Sequence, residues 1–259
     1  MPRFAANLSF LFTELPFLDR FEAAAKAGFK GVEFTFPYAT PADEIRTRLD
    51  ANGLELVLFN LPPGHWDKGE RGFAALPGRE DEFASAVDLA LTYADALGCP
   101  RLHAMAGLTD HGATREAYVA NLRLTAGWAA EQGVDILIEP INTRDMPGYF
   151  LTRTSDAADI IAEVGAPNLG LQFDLYHRHE MEGGVEAAIA EFAAITRHYQ
   201  CADPPDRGEP GGSGEADYAA LFRAIDASGH TGWIGCEYKP RGETLAGLGW
   251  PAACGVTLG

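Results

Sequence analysis

Basic residues are scarce in this chain. Lysine and arginine total 20 against 37 aspartates and glutamates in 259 residues, a formal net charge of −17. A nucleic-acid partner needs a basic surface to meet its phosphates, so the charge argues against DNA or RNA. It argues equally against anionic membranes. Cysteine is sparse too: Cys99, Cys201, Cys236 and Cys254 form no C-x-x-C pair. Such a set is no disulfide framework, and a reduced, cytoplasmic protein is expected. There is no basic-then-apolar leader pattern and no run of 18 apolar residues. The G-x-G-x-x-G fingerprint is missing after the first apolar run, which leaves a dinucleotide fold little support. A small anionic substrate stays compatible with the charge if a bound cation and a few local bases reverse the field in a pocket.

Hydrophobic residues, at 47%, are ample for a full core. Apolar runs alternate with helical patterns along the whole chain, eight times, without a linker. That is the signature of a parallel α/β protein. Eight units of about 32 residues suit a (β/α)8 TIM barrel forming one domain over 1–259, with a doubly wound open sheet as the alternative. The expected helices include 15–27, 80–97 and 114–132. Another opens with Thr40 as its cap and Pro41 at its first position, and a further one, capped by Thr152 or Thr154, runs to Val164. Residues 175–183 read as a loop. The unpatterned stretch 61–78 reads as a lid or binding loop.

Four runs share a feature. Asp135–Ile138 leads into Glu139, the run from Leu169 ends on Asp174, the run from Ile195 ends on Gln200, and the run from Trp233 carries Glu237 near its end. The intervals are 35, 26 and 37 residues, each about one βα unit. In a barrel the strand C-termini share one face, so four oxygen-bearing side chains would meet at one rim. A hard divalent cation, Mg²⁺ or Mn²⁺, takes such a set of three carboxylates and an amide oxygen. The plain alternative is that each residue only caps the next helix. A cation so held stabilises an enediolate, and Glu139 and Glu237 on either side of it would suit proton relay. A hydrolase could use the same ligands to activate water. Glu33 either faces outward or lies on the inner rim, and His103 reads as an inner-wall histidine.

Several motifs carry a resemblance: Ile138-Glu-Pro-Ile-Asn142, Asp145-Met-Pro-Gly148, Asp174-Leu-Tyr-His177, Ala202-Asp203 with Arg207, and Gly232-Trp-Ile-Gly-Cys-Glu-Tyr-Lys-Pro240. With Gly69-Glu-Arg-Gly72, Pro77-Gly-Arg-Glu80 and Gly247-Leu-Gly-Trp250, they resemble the hydroxypyruvate isomerase family of xylose isomerase-like TIM barrels. The resemblance implies interconversion of hydroxypyruvate and tartronate semialdehyde, or the like reaction of a 2-oxo-tetronate. A ketose 3-epimerase belongs to the same chemistry. It implies Glu139, Asp174, Gln200 and Glu237 as metal ligands and the two glutamates as the acid/base pair. It puts His177 and Arg207 against the substrate, with Lys239 and Arg71 to hold its carboxylate. A homo-oligomer is admitted. After Trp250 the chain departs from its relatives, which puts the last helix in question. From other classes, a metal-dependent phosphodiesterase or endonuclease and a non-catalytic sugar-acid binding protein compete with this reading.

Overall fold

Eight short runs rich in apolar and aromatic residues form strands in the computed structural model, which describes residues 2–258. They are β1 (Arg3–Asn7), β2 (Gly31–Phe34), β3 (Glu55–Asn60), β4 (Arg101–His103), β5 (Asp135–Ile138), β6 (Leu169–Asp174), β7 (Thr196–Cys201) and β8 (Trp233–Cys236). All pair in parallel and in chain order, and β8 closes on β1 with Ala5 opposite Gly235. The architecture is the expected (β/α)8 barrel.

Helices wrap the outside: α1 (Arg20–Lys26), α2 (Ala42–Asn52), α3 (Glu80–Leu97), α4 (Arg115–Glu131), α5 (Thr154–Val164), α6 (Leu175–Glu182), α7 (Val185–Phe192) and α8 (Tyr218–Ala227). Helix α3 buries a stripe from Phe83 through Val87, Ala90, Leu91 and Ala94 to Leu97 against the barrel, the spacing of one helix face. It stops at Gly98, whose φ of 66° is the left-handed turn that glycine accepts without a Cβ penalty. Thr114 caps α4 by accepting the Ala117 N–H at 3.2 Å.

Some local expectations need correction. Pro41 is the cap residue of α2 rather than its first residue, and no side chain caps that helix. Neither Thr152 nor Thr154 caps α5. Thr154 is its first residue and donates both its N–H and its hydroxyl to Glu182, at 2.8 and 3.0 Å. A carboxylate borrowed from α6 thus meets the positive end of α5. Residues 175–183, expected as loop, are mostly helix α6. Its first turn is held by Asp174, whose Oδ1 accepts the N–H groups of Tyr176 and His177 at 2.7 and 3.2 Å. The tail forms two short helices, Thr244–Gly247 and Trp250–Ala253. Trp250 sits edge-on to Phe4 at 5.2 Å and donates its indole N–H to the Tyr238 hydroxyl at 3.1 Å.

Inside the barrel, every second strand residue faces the axis. Ala5, Val57, Leu137 and Trp233 belong to one small apolar cluster. Two residues further along the strands the same faces turn polar: Asn7, Glu139 and, by way of Gly235, Glu237. Glu33, His103, Gln172, Asp174, His198 and Gln200 join them, all buried. The polar layer therefore lies at the C-terminal end of the barrel. Among the described residues no helix is long and apolar enough to cross a membrane.

Candidate active site

The strand ends bring Glu139, Asp174 and Glu237 together with His177 from the first turn of α6. Each offers one ligand atom, and those atoms lie within 4.8 Å of one another. All four side chains are buried. Burial pushes the Glu139 carboxyl well above its usual range, and its neighbours Glu237 and Asp174 add to the shift. Asp174 is raised by burial as well. Glu237 is pushed up to about 8 by burial, with Arg207 opposing and Asp174 adding. Carboxylates crowded in a dry site resist joint ionisation unless a cation joins them.

Arg207 is the resident cation. Its Nη2 donates to Glu237 Oε2, its Nε to the Glu237 carbonyl at 3.2 Å, and its Nη1 lies 3.5 Å from Asp145 Oδ2. The guanidinium stands 4.8 Å from the Phe10 ring and 5.5 Å from that of Tyr176. Burial works to lower its pKa, but Glu237, Asp174 and Glu139 more than reverse that.

His177 has a defined tautomer. Asn142 Oδ1 accepts the Asp145 N–H at 2.7 Å, which fixes the amide orientation. Asn142 Nδ2 therefore donates to His177 Nδ1 at 2.7 Å, and the Asn142 backbone N–H points at the same atom from 3.4 Å. With Nδ1 accepting, the ring proton sits on Nε2. That atom lies 3.8 Å from Glu139 Oε1 and 3.8 Å from Asp174 Oδ2. Burial, then Arg207, lower the His177 pKa well below the usual value, so the ring is neutral. A neutral imidazole with its proton on Nε2 offers a donor there, not the lone pair a metal requires.

Two buried oxygens in this group, Glu139 Oε1 and Asp174 Oδ2, have no hydrogen-bond partner among the described residues. Orphaned carboxylate oxygens at close range fit a hard cation. The buried group could thus hold a metal ion. Gln200 lies directly opposite Asp174 in register. Its amide nitrogen donates to Glu33 Oε1 at 2.8 Å, and its oxygen accepts from Gln172 at 2.7 Å, keeping a second lone pair. The helix-cap role of Asp174 leaves room for a ligand role: Oδ1 caps α6 while Oδ2 has no hydrogen-bond partner among the described residues.

Glu139, His177, Arg207 and Glu237 line a cavity of about 490 Å³, with Ser9, Thr35, Asn60, His103, Met105 and Lys239 also on its wall. Arg71 lines it too, with its guanidinium 4.0 Å from the Trp66 ring. The loop carrying both is braced by Glu70, which accepts from Arg79 at 2.8 Å and from the His65 N–H at 2.6 Å. Every sequence-derived site residue except Asp174 and Gln200 lines this cavity. Asp174 borders it beside Glu139, His177 and Glu237, and Gln200, opposite Asp174, is held by Glu33 and Gln172.

Sequence reasoning left the residues that hold Gln200 without an assigned role. Glu33, placed neither in nor out from its run, is wholly buried. It accepts from Asn7 at 2.9 Å and Gln200 at 2.8 Å, and its Oε2 is 2.6 Å from His198 Nε2. Asn7 also donates to Glu237 Oε1 at 3.3 Å. Asn142 and Asp145 appeared only inside motifs. A signal existed in the strand alternation, since Gln172 and Asp174, and His198 and Gln200, are pairs on one face.

Comparisons with known proteins bear on the fold and family. A family model described as xylose isomerase-like TIM barrel matches residues 21–254. Over 254 residues the chain is 54% identical to a protein of Cupriavidus necator named 2-oxo-tetronate isomerase, covering 96% of this chain and 97% of that one. It is 47% identical over 254 residues to the hydroxypyruvate isomerase of Escherichia coli, covering 96% and 98%. A crystal structure from Brucella melitensis named AP endonuclease, family 2, superposes with a TM-score of 0.95 at 49% identity, over 98% of this chain and 99% of that one.

Proposed function

We propose, from the premise that this chain belongs to the xylose isomerase-like TIM-barrel family and groups there with hydroxypyruvate and 2-oxo-tetronate isomerases, that it isomerises a small anionic hydroxy-oxo acid. Hydroxypyruvate, giving tartronate semialdehyde, and a 2-oxo-tetronate are the two substrates in view. The observation that carries the reading is the buried pair Glu139 and Glu237, facing one cavity with Arg207 between Glu237 and Asp145.

The reaction moves one proton between adjacent carbons and a second between their oxygens, from the hydroxyl that becomes a carbonyl to the carbonyl that becomes a hydroxyl. One glutamate takes the first from the hydroxyl-bearing carbon, leaving an enediolate, and the pair returns a proton to the neighbouring carbon. Burial raises both carboxyls, Glu237 to about 8, which favours the proton-carrying form of each. His177 offers its Nε2–H to a substrate oxygen. Arg207 keeps Glu237 in place and adds positive charge to the wall. Arg71 and Lys239, at the cavity edge, suit the substrate carboxylate. When bound by Glu139, Asp174, Gln200 and Glu237, Mg²⁺ or Mn²⁺ would supply charge that lowers the energy of the enediolate. Four free cysteines fit a reducing, cytoplasmic setting.

The name of the Brucella relative favours a second reading, a metal-dependent endonuclease. A net charge of −17 speaks against it, and DNA binding that weakens steeply with salt would revive it. The test of the main reading is proton NMR of the protein with hydroxypyruvate, then with the four-carbon 2-oxo acid, in D₂O with Mg²⁺ and with EDTA. Product formation with solvent deuterium at the new C–H position is expected. No turnover and no exchange with either acid refutes the isomerase.

A further inference from the structure

His103 ends β4 with its side chain 1% exposed, on the wall of the cavity. Neither ring nitrogen has a hydrogen-bond partner among the described residues. Its ionic neighbour is Glu139, whose Oε2 lies 3.6 Å from Nδ1, too far for a hydrogen bond. A neutral imidazole always carries one N–H and one lone pair. Whichever tautomer His103 adopts, a buried donor and a buried acceptor go unmet. Such groups are rare because each costs free energy. The other two interior histidines are treated differently: Nδ1 of His177 is held by Asn142, and Nε2 of His198 lies 2.6 Å from Glu33. The barrel could have held His103 in the same way, or put an apolar residue there.

We propose that His103 is a substrate-contacting residue, whose ring donates a hydrogen bond to an oxygen of the bound hydroxy-oxo acid beside Glu139. The inference rests on the isomerase reading for its ligand. The position is apt for two reasons. His103 and His177 both approach Glu139, from Oε2 and Oε1 respectively. A ligand placed for proton transfer to that carboxylate therefore comes within reach of both rings. A hydroxy-oxo acid also brings what the ring lacks, because its carbonyl and carboxylate oxygens accept and its hydroxyl can donate.

The experiment uses the Mg²⁺-loaded enzyme and two variants. His103→Phe keeps a flat ring without hydrogen bonding, and His103→Gln keeps a donor and an acceptor. Hydroxypyruvate kinetics give kcat/KM. Tartronate, a hydroxy acid that cannot isomerise, gives binding without turnover. The expected result for His103→Phe is a fall of about 10- to 100-fold in kcat/KM and a similar weakening of tartronate. Its unliganded melting temperature stays level or rises, because an unmet polar pair has been removed. His103→Gln recovers part of the loss. The proposal is overturned by kcat/KM within twofold of the parent in His103→Phe. It is also overturned by a loss that tracks a lowered melting temperature with no recovery in His103→Gln. A parent protein that binds tartronate without turnover removes the isomerase reading and leaves the binding comparison to judge His103. A parent that neither binds nor turns over overturns both.

Discussion

Replacing Asn142 by aspartate exchanges one nitrogen for an oxygen in a pocket where Asn142 is 0% and His177 3% exposed. The change tests the tautomer on which His177 depends. In the parent, Nδ1 of His177 accepts from Asn142 Nδ2 at 2.7 Å, and the proton is on Nε2. A carboxylate at position 142 accepts only, so it draws a proton onto Nδ1. While the ring stays neutral, Nε2 then presents a lone pair to Glu139 Oε1 and Asp174 Oδ2, each 3.8 Å away. The donor that should meet the substrate oxygen is gone. A hydrogen bond to a charged group contributes about 1.5–3 kcal/mol, so kcat/KM at a pH of about 8 should fall by about 10- to 150-fold. At lower pH the ring of the variant takes up a second proton, with the new carboxylate stabilising it. Nε2–H is then restored, and activity should partly return on the acid side. The assay is kcat/KM against pH for parent and variant, with circular dichroism to confirm the fold. Parent-like activity at pH 8, with no change in the shape of the profile, would refute the tautomer argument.

Three further outcomes are expected. In Gly235→Ala, the new Cβ would collide with both carboxylate oxygens of Glu33, the group that holds Asn7, His198 and Gln200. Overpacking of this kind should cost about 1–3 kcal/mol in a denaturant titration and weaken cation binding, whereas an unchanged midpoint would mean Glu33 has room to move. Adding Mg²⁺ to EDTA-treated protein at a hundred times its Kd should stabilise by about 2.7 kcal/mol and raise the melting temperature by roughly 5–10 °C. No rise with millimolar Mg²⁺ or Mn²⁺ would count against the carboxylate site. His230, far from that site, is lowered to about 4 by burial and then by His198. Its unfolded value is near 6.5, so between these values the unfolded chain binds more protons. Its contribution is intact above about pH 6.5 and is lost as pH falls toward 4. The slope stays below about 1.4 kcal/mol per unit because a single ring exchanges at most one proton. Urea melts at several pH values should show this slope in the parent and a flatter one in His230→Gln, and equal slopes would sink the assignment.

The rim of the site was legible because it repeats. Glu139, Asp174, Gln200 and Glu237 follow at intervals of one βα unit, and any parallel barrel gathers such positions at one end. Layers made by closure were not legible. His198 meets Glu33 across 165 residues, and Asn7 meets Glu237 across 230. No local pattern reports such pairs, because they exist only once β8 has docked on β1. Helix α6 was missed for a different reason. Its sequence, Leu-Tyr-His-Arg-His-Glu-Met-Glu, has no clean apolar stripe, and it is held by the Asp174 cap and by tertiary contact rather than by propensity.

The same closure explains why the site is hard to read as a structural feature alone. Three carboxylates end up buried within a few ångströms of one another. One guanidinium, Arg207, answers them, and its backbone takes the left-handed φ of 56° that a non-glycine residue rarely adopts. Burial, with the neighbouring carboxylates adding to it, leaves Glu139 well above its ordinary range and Glu237 pushed up to about 8. Apolar residues of similar size would stabilise the barrel more at these positions. An arrangement that is costly to the fold is complementary to added positive charge. Under the proposed function a bound divalent cation would relieve that imbalance, and the negative charge developing on the substrate would then meet the cation. The unmet ring of His103 on the same wall then marks where that substrate lies.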